Sequence, residues 1–240
     1  MHISTLNWMQ VEDLLEREDR CVLPTGSVEQ HGYLSLATDA LLAERVALEA
    51  AEPLGVPVFP VLSYGCTPSF TAYPGTMTLS LSTYLAVMED LIGSLVRQGF
   101  RRIVIVNGHG GNSPAAGLAG ELMGRFPDLQ LKYHNWWNAA HTWACVQRVD
   151  TDSSHASWME SLPWTRVPGA QIPSERKPPV DSRMAALMDP TRLRTLVGDG
   201  NFGGPYQAPE ADVMAMWATA VQETRDLIDG PWRPSERGAA

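Results

Sequence analysis

Positive charge is in short supply. Lys and Arg number 18 against 27 Asp and Glu, the formal net charge is -9 over 240 residues, and no Lys/Arg run occurs. Nucleic acid and anionic membrane surfaces are therefore excluded as expected partners. No stretch reaches the ~18 apolar residues that a membrane span needs. Met1 to Arg17 carries acidic residues and no apolar core of the signal-peptide kind, so a cytoplasmic location is expected. Cysteine is scarce: Cys21, Cys66 and Cys145 are odd in number and widely spaced, which argues against a disulfide framework or a zinc knuckle. The glycine-rich segment 107–112 has neither the G-x-G-x-x-G dinucleotide spacing nor the lysine of a Walker loop, and the chain has no G-x-S-x-G nucleophile elbow. Internal repeats and low-complexity linkers are also missing.

What remains is an ordinary globular composition, 44% hydrophobic and 19% charged. A chain of this length, read as one domain over 1–240, should bury roughly 70–75% of its unfolded surface without staples. Cys21–Pro24 is a short apolar run ending in a Gly/Ser turn. Asp39 to Leu54 has helical character, and Val56 to Leu62 reads as a strand with an irregular start because of Pro57 and Pro60. Tyr64 to Gly75 is a loop. Ser82 to Gln98 has Leu85, Met88, Leu91, Ile92 and Leu95 on one helical face, with Gly99 as its stop. Arg101 to Val106 carries Ile-Val-Ile-Val, the pattern of a parallel strand buried on both faces. Ser113 and Pro114 suggest the cap and first residue of a helix running to about Gly124. Leu129 to Tyr133 is a further strand, Pro163 to Pro179 a surface loop or lid, and Pro209 to Asp229 a last amphipathic helix. The polar tail after Pro231 is expected to fray. Alternating strands and helices predict an α/β fold around a mainly parallel sheet, with the ligand site beyond the C-terminal strand ends.

Two glycine-punctuated segments lie at such ends. The first is Gly26-Ser27-Val28-Glu29-Gln30-His31-Gly32, followed by Thr38-Asp39. The second is Asn107-Gly108-His109-Gly110-Gly111-Asn112. In an extended segment Glu29 and His31 point to one face and can approach one cation or two adjacent cations. Such carboxylate and imidazole ligands suit Zn, Mn or Fe(II). Taken singly, Glu29 and His31 are also compatible with an exposed turn, and Asp39 with a helix N-cap. His109 is flanked by glycines that permit close backbone approach, which favours a ligand over a phosphate loop. In His155-Ala-Ser-Trp-Met-Glu160 the spacing of five is poor for one helical face, so Glu160 by itself reads as a surface carboxylate. His134 and His141 flank Trp136, Trp137 and Trp143, which could line a pocket or fill a core.

The ordered combination of Leu23-Pro-Thr-Gly-Ser-Val-Glu-Gln-His-Gly, Thr38-Asp39, Tyr73-Pro-Gly-Thr76 and Val106-Asn-Gly-His-Gly-Gly-Asn112 resembles the creatininase (creatinine amidohydrolase) family. The likeness covers roughly residues 20 to 165. His155-Ala-x-x-x-Glu160-Ser resembles that family's third motif, and Gly198-Asp199 its C-terminal end. The resemblance implies a three-layer α/β/α sandwich, a homohexamer and two divalent metal ions per chain. It places Glu29 and His109 on one metal, His31 on the other, Asp39 between them and His155 as acid/base. The family carboxylate two residues after the motif His is replaced here by Gly111, which makes Glu160 the substitute. The span from His31 to Asp39 is one residue short of the family pattern, and its second His is missing. The pocket wall therefore differs from that of creatininase.

These readings predict a metal-dependent amidohydrolase that cleaves a non-peptide C–N bond of a small molecule, expected to be a cyclic amide, through a water activated by two metals. Tyr33 and the Trp cluster would shape its pocket. The alternatives are a lactonase or deformylase on the same site, or a catalytically silent ligand-binding or assembly member of the family.

Overall fold

The computed structural model describes residues 1–233. Three six-residue strands, β1 (Arg20–Thr25), β2 (Arg102–Asn107) and β3 (Gln130–Asn135), pair in parallel in the order β1-β2-β3. Thr25 pairs with Asn107 and Asn107 with Asn135, so the three C-terminal ends finish level at one edge of the sheet.

Successive side chains of a strand point to opposite faces, and both faces here are covered. On one, Val22, Val104 and Val106 pack against α2 (Thr38–Ala51), α5 (Ala140–Val149) and α8 (Glu210–Asp229) through Val46, Ala47, Val146, Val213 and Trp217. On the other, Cys21, Leu23, Ile103 and Ile105 meet Tyr84, Met88, Ile92 and Leu122 of α3 (Leu81–Gln98) and α4 (Leu118–Arg125). This is the expected α/β/α sandwich. On that second side, α1 (Trp8–Leu15), opened by an Asn7/Gln10 capping box, adds Val11 and Leu15. A separate small cluster joins Ala185 of α6 (Ser182–Ala185) and Leu193 and Val197 of α7 (Pro190–Val197) to Phe70 and Phe202.

Helix α3 stops at its expected signal, Gly99 at φ +116°, and begins one residue before the expected Ser82, capped by Ser80. Elsewhere the structure differs from the pattern. Val56 to Leu62 forms only isolated parallel bridges, His2 to Val58, Val22 to Val58 and Thr25 to Leu62, because prolines at 57 and 60 interrupt its run of backbone donors. Ser113 caps nothing; Gly110–Gly117 is a 3-10 helix with Pro114 inside it, and the α-helix begins at Leu118. The segment 163–179 is a loop as expected. The beginning of the tail does not fray: Trp232 Nε1 donates to Ile228 O at 2.9 Å, and Arg233 N donates to Gln130 Oε1 at 2.6 Å. The rest of the tail, 234–240, lies outside the described residues. Among the described residues no helix is long and apolar enough to cross a membrane.

Candidate metal centre

The loop after β1 carries Glu29, Gln30 and His31, the first turn of α2 carries Asp39, and the loop after β2 carries His109. Two glycines let these elements meet. A Cβ on Gly26 would stand 2.5 Å from Ala40 N, and one on Gly108 would stand 2.3 Å from Asp39 O. Glycine at both strand ends thus seats the start of α2 between them. Ala37 rather than Asp39 is the N-cap residue of α2, and no side chain caps that end. The capping reading of Asp39 is therefore overturned, and its carboxylate is free for the site. The short loop before it closes through Leu34 N to His31 O at 2.9 Å and Thr38 N to Ser35 O at 3.1 Å. It still delivers both His31 and Asp39 to one place.

Asp39 Oδ2 lies 3.0 Å from His109 Nδ1, and its Oδ1 lies 3.1 Å from His31 Nε2. Glu29 Oε1 is 3.4 Å from His109 Nδ1, and Glu160 Oε2 is 3.9 Å from His31 Nε2. Two triads result, Glu29/Asp39/His109 and His31/Asp39/Glu160, each with ligand atoms within 4.8 Å of one another. A third grouping joins Glu29 and His31 to His155. Both triads are wholly buried. Glu160, read from the sequence alone as a surface carboxylate, is thereby placed inside.

The imidazoles are oriented from behind. His31 Nδ1 donates to Glu29 O at 3.3 Å, and His109 Nε2 donates to Cys66 O at 2.8 Å. Each ring turns its other nitrogen to the carboxylates, as metal-binding histidines do. His31 Nε2 and Asp39 Oδ2 are buried without a properly aligned hydrogen bond, although nitrogen and oxygen neighbours stand 3.0–3.1 Å away. Buried polar atoms left without a hydrogen-bond partner beside carboxylates and imidazoles are a donor set that could hold a divalent cation. Thr67 Oγ1 donates to Glu29 Oε2, and Ala156 N donates to Glu160 Oε2 at 2.6 Å.

The charges hold one another. Burial alone would raise the Asp39 carboxyl, but His31 and His109 beside it keep it well below its ordinary range. Burial opposes protonation of His31, yet Asp39, Glu160 and Glu29 lift its pKa to about 10. Burial raises Glu160 to about 7 despite His31 nearby.

His155 forms the adjoining wall. Its Nδ1 is 3.7 Å from Glu29 Oε1, while its Nε2 lies 2.8 Å from Gln30 Nε2 and 3.0 Å from Gln30 O. Gln30 is itself fixed: its Nε2 donates to Gly200 O and its Oε1 accepts from Gly32 N, each at 3.1 Å. Phe70 stacks on the His155 ring at 5.1 Å and 14°, and Phe202 meets it edge-on at 5.6 Å. Burial and the neighbouring His31 lower the His155 pKa to about 4.

The centre opens into a cavity of about 660 Å³ whose apolar walls are Phe70, Trp137, Trp143, Met159 and Phe202. Trp136, by contrast, is core. Tyr33 does not line this cavity and packs edge-on against Tyr206 at 5.5 Å, so its expected role in the pocket is not met. The 163–179 loop contributes no lining residue and is no lid over this cavity. His134 is held in β3 beside Thr224, and His141 lies apart on α5. Sequence reasoning missed Thr67, Phe70 and Phe202, which sit in loops without periodicity. It also gave no role to Gln30, although that residue lies inside the first motif.

The chain matches the sequence model of the family described as creatininase, creatinine amidohydrolase, over residues 4–228. A mycofactocin precursor peptide peptidase from Mycolicibacterium smegmatis is 35% identical over 228 residues, covering 90% of this chain and 87% of that protein. A creatinine amidohydrolase from Pseudomonas putida is 36% identical over 119 residues, covering 46% of this chain and 45% of that protein. That match spans less than half the length of the relative. A solved creatinine amidohydrolase (creatininase) superposes with a TM-score of 0.80 at 24% identity, covering 97% of this chain and 98% of that one. Solved creatininases of this fold include one described as an Mn form and one as Zn-Zn type, each with a TM-score of 0.77.

Proposed function

The chain belongs to the creatininase (creatinine amidohydrolase) family, and we propose that it is a metal-dependent hydrolase of amide C–N bonds. The observation that carries this reading is Asp39, which offers one carboxylate oxygen to each of two buried triads. Glu29 and His109 would hold one divalent ion, His31 and Glu160 the second, and Asp39 both. Zn, Mn or Fe(II) suits such ligands, and Zn and Mn have support from the creatininases of like fold. Bound there, the ions would supply Lewis-acid polarisation of the amide and a water of lowered pKa.

The chain's own residues do the rest. Thr67 and the Ala156 amide fix the Glu29 and Glu160 carboxylates by hydrogen bonds. His155, beside Glu29 and bracketed by Gln30, is placed to carry a proton to the leaving nitrogen. The aromatic walls keep bulk water away and strengthen the electrostatics inside. In this reading residues 1–240 act as one catalytic unit, and the homohexamer implied by the family is checked by light scattering.

For the substrate, the cyclic amide expected from the sequence has the support of the Pseudomonas putida relative over part of its length. A peptide amide has two observations in its favour: the similarity to the peptide peptidase over 90% of this chain, and a cavity of about 660 Å³, in the range that accepts molecules well beyond a single small ring. The peptide reading is therefore preferred. Protein purified without added metal should carry near two transition-metal ions per chain, and a Glu29→Ala/His109→Ala variant should lose them. Little metal in the wild type, not restored by Zn, Mn or Fe(II), would instead indicate the silent, ligand-binding alternative. Matched peptide, lactam, lactone and N-formyl substrates then separate the hydrolase readings.

A further inference from the structure

A second cavity, of about 450 Å³, borders the first and shares Phe70, His109, Gly111 and Phe202 with it. Phe70 and Phe202, edge to face at 5.8 Å, form the partition between the two, and both pack on the His155 ring. The far wall comes from Leu81 at the start of α3 and from Ser182, Ala185, Ala186 and Leu193 of the α6–α7 unit. Among its lining residues none but His109 is ionisable at neutral pH, apart from the thiol of Cys66.

An amide has two substituents. When its carbonyl sits over Glu29, Asp39 and His109, the acyl and amine parts must leave in different directions. One direction is the Trp137/Trp143 cavity, and the second cavity reaches His109 from the other side of the phenylalanine pair. The geometry points to a second substrate subsite there, which takes an uncharged apolar side chain from the far side of the scissile bond. The substrate is then a linear amide with an apolar group on each side, as in a peptide, and a compact ring would leave one cavity empty. This inference rests on the metal-centre reading above.

The test uses the zinc-loaded full chain and reads binding by calorimetry rather than turnover. The probes are acetohydroxamic acid, an N-acetylated Phe–Leu phosphinic pseudodipeptide, and its two analogues in which either side chain is cut back to hydrogen. Burying one such side chain corresponds to about tenfold to hundredfold in affinity. In the wild type both truncations should weaken binding by at least about tenfold. Ala186→Trp and Ser182→Trp, both at exposed positions facing the second cavity, should abolish the preference for one of the two side chains. They should leave acetohydroxamic acid affinity and zinc content at the wild-type level. An unchanged preference in both folded, zinc-loaded variants overturns the subsite. Failure of acetohydroxamic acid to bind the zinc-loaded wild type overturns the metal-centre reading and the subsite with it.

Discussion

At the scale of single residues, position 111 bears on why the proposed second metal position departs from the family pattern. A Cβ on Gly111 would stand 1.9 Å from Cys66 O and 2.6 Å from His109 Nε2, so the loop as folded admits no side chain there. In the proposed site the carboxylate would come from Glu160 instead, which is positioned by a 3-10 turn (Trp158–Glu160) and by Ala156 at φ +60°, a conformation uncommon for a residue other than glycine. Glu160→Gln should therefore cut the metal content from two ions per chain to one, whereas Asp39→Ala should lose both. Elemental analysis of the two variants decides, and two ions retained in Glu160→Gln would remove Glu160 from the ligand set. Gln30→Ala should lower kcat about a hundredfold through a loosened His155 while metal content stays constant, which steady-state kinetics beside elemental analysis would check. Glu29, His31 and His109 stood out as candidates in the sequence because each sits in a contiguous segment punctuated by glycine, whereas Asp39 by itself read as a helix cap and drew its role from the family likeness. Glu160 could not be found from spacing, since five residues match neither helix nor strand, and only the family likeness pointed to it.

At the scale of elements, the centre depends on one buried side chain that ties three loops together. Asn112 Oδ1 accepts from Cys66 N at 3.0 Å, and Nδ2 donates to Gly26 O at 2.9 Å and to Asn107 Oδ1 at 3.2 Å. Asn107 in turn holds the His109 backbone through Nδ2 to His109 O at 2.6 Å and His109 N to Oδ1 at 3.1 Å. Asn112→Ala leaves several buried groups without partners, and should destabilise the metal-free protein by about 3 kcal/mol. Zinc affinity should fall as well, because the loops bearing Glu29 and His109 are no longer held in register. Urea unfolding and a zinc titration measure the two effects, and wild-type values in both would show that the loops hold without Asn112. The Ile-Val-Ile-Val run of β2 was readable as a buried strand from composition alone. Val56 to Leu62 has the same apolar character and still fails as a strand, because its prolines, not its hydrophobicity, decide how many ladder bonds it can make.

At the scale of the whole molecule, the order of elements made an α/β fold around a parallel sheet legible and the family likeness supplied the sandwich, but the tertiary partners of individual side chains could not be read. His134 is the clearest case. Among the tryptophans it could have lined a pocket. It stands instead in β3, in register with Val106, where its Nε2 lies 3.0 Å from Thr224 Oγ1 of α8. Burial between sheet and helix lowers its pKa from 6.5 to about 4, against the pull of Glu223. The folded protein therefore keeps this imidazole neutral at pH values where the unfolded chain has already protonated its own. The unfolded state binds more protons between about pH 6.5 and 4, so the stability this residue contributes is complete above that window. It declines as pH falls through the window and loses nothing more below it. A shift of this size corresponds to about 3 kcal/mol. Unfolding free energies of the metal-free wild type and of His134→Gln, measured in urea at intervals from pH 7.5 to 4, isolate the effect, since the other titrating groups are common to both. The wild type should lose about 3 kcal/mol more than the variant across the window. Parallel curves would mean that His134 takes up its proton as readily in the fold as outside it, and that the seam between β3 and α8 admits a charge.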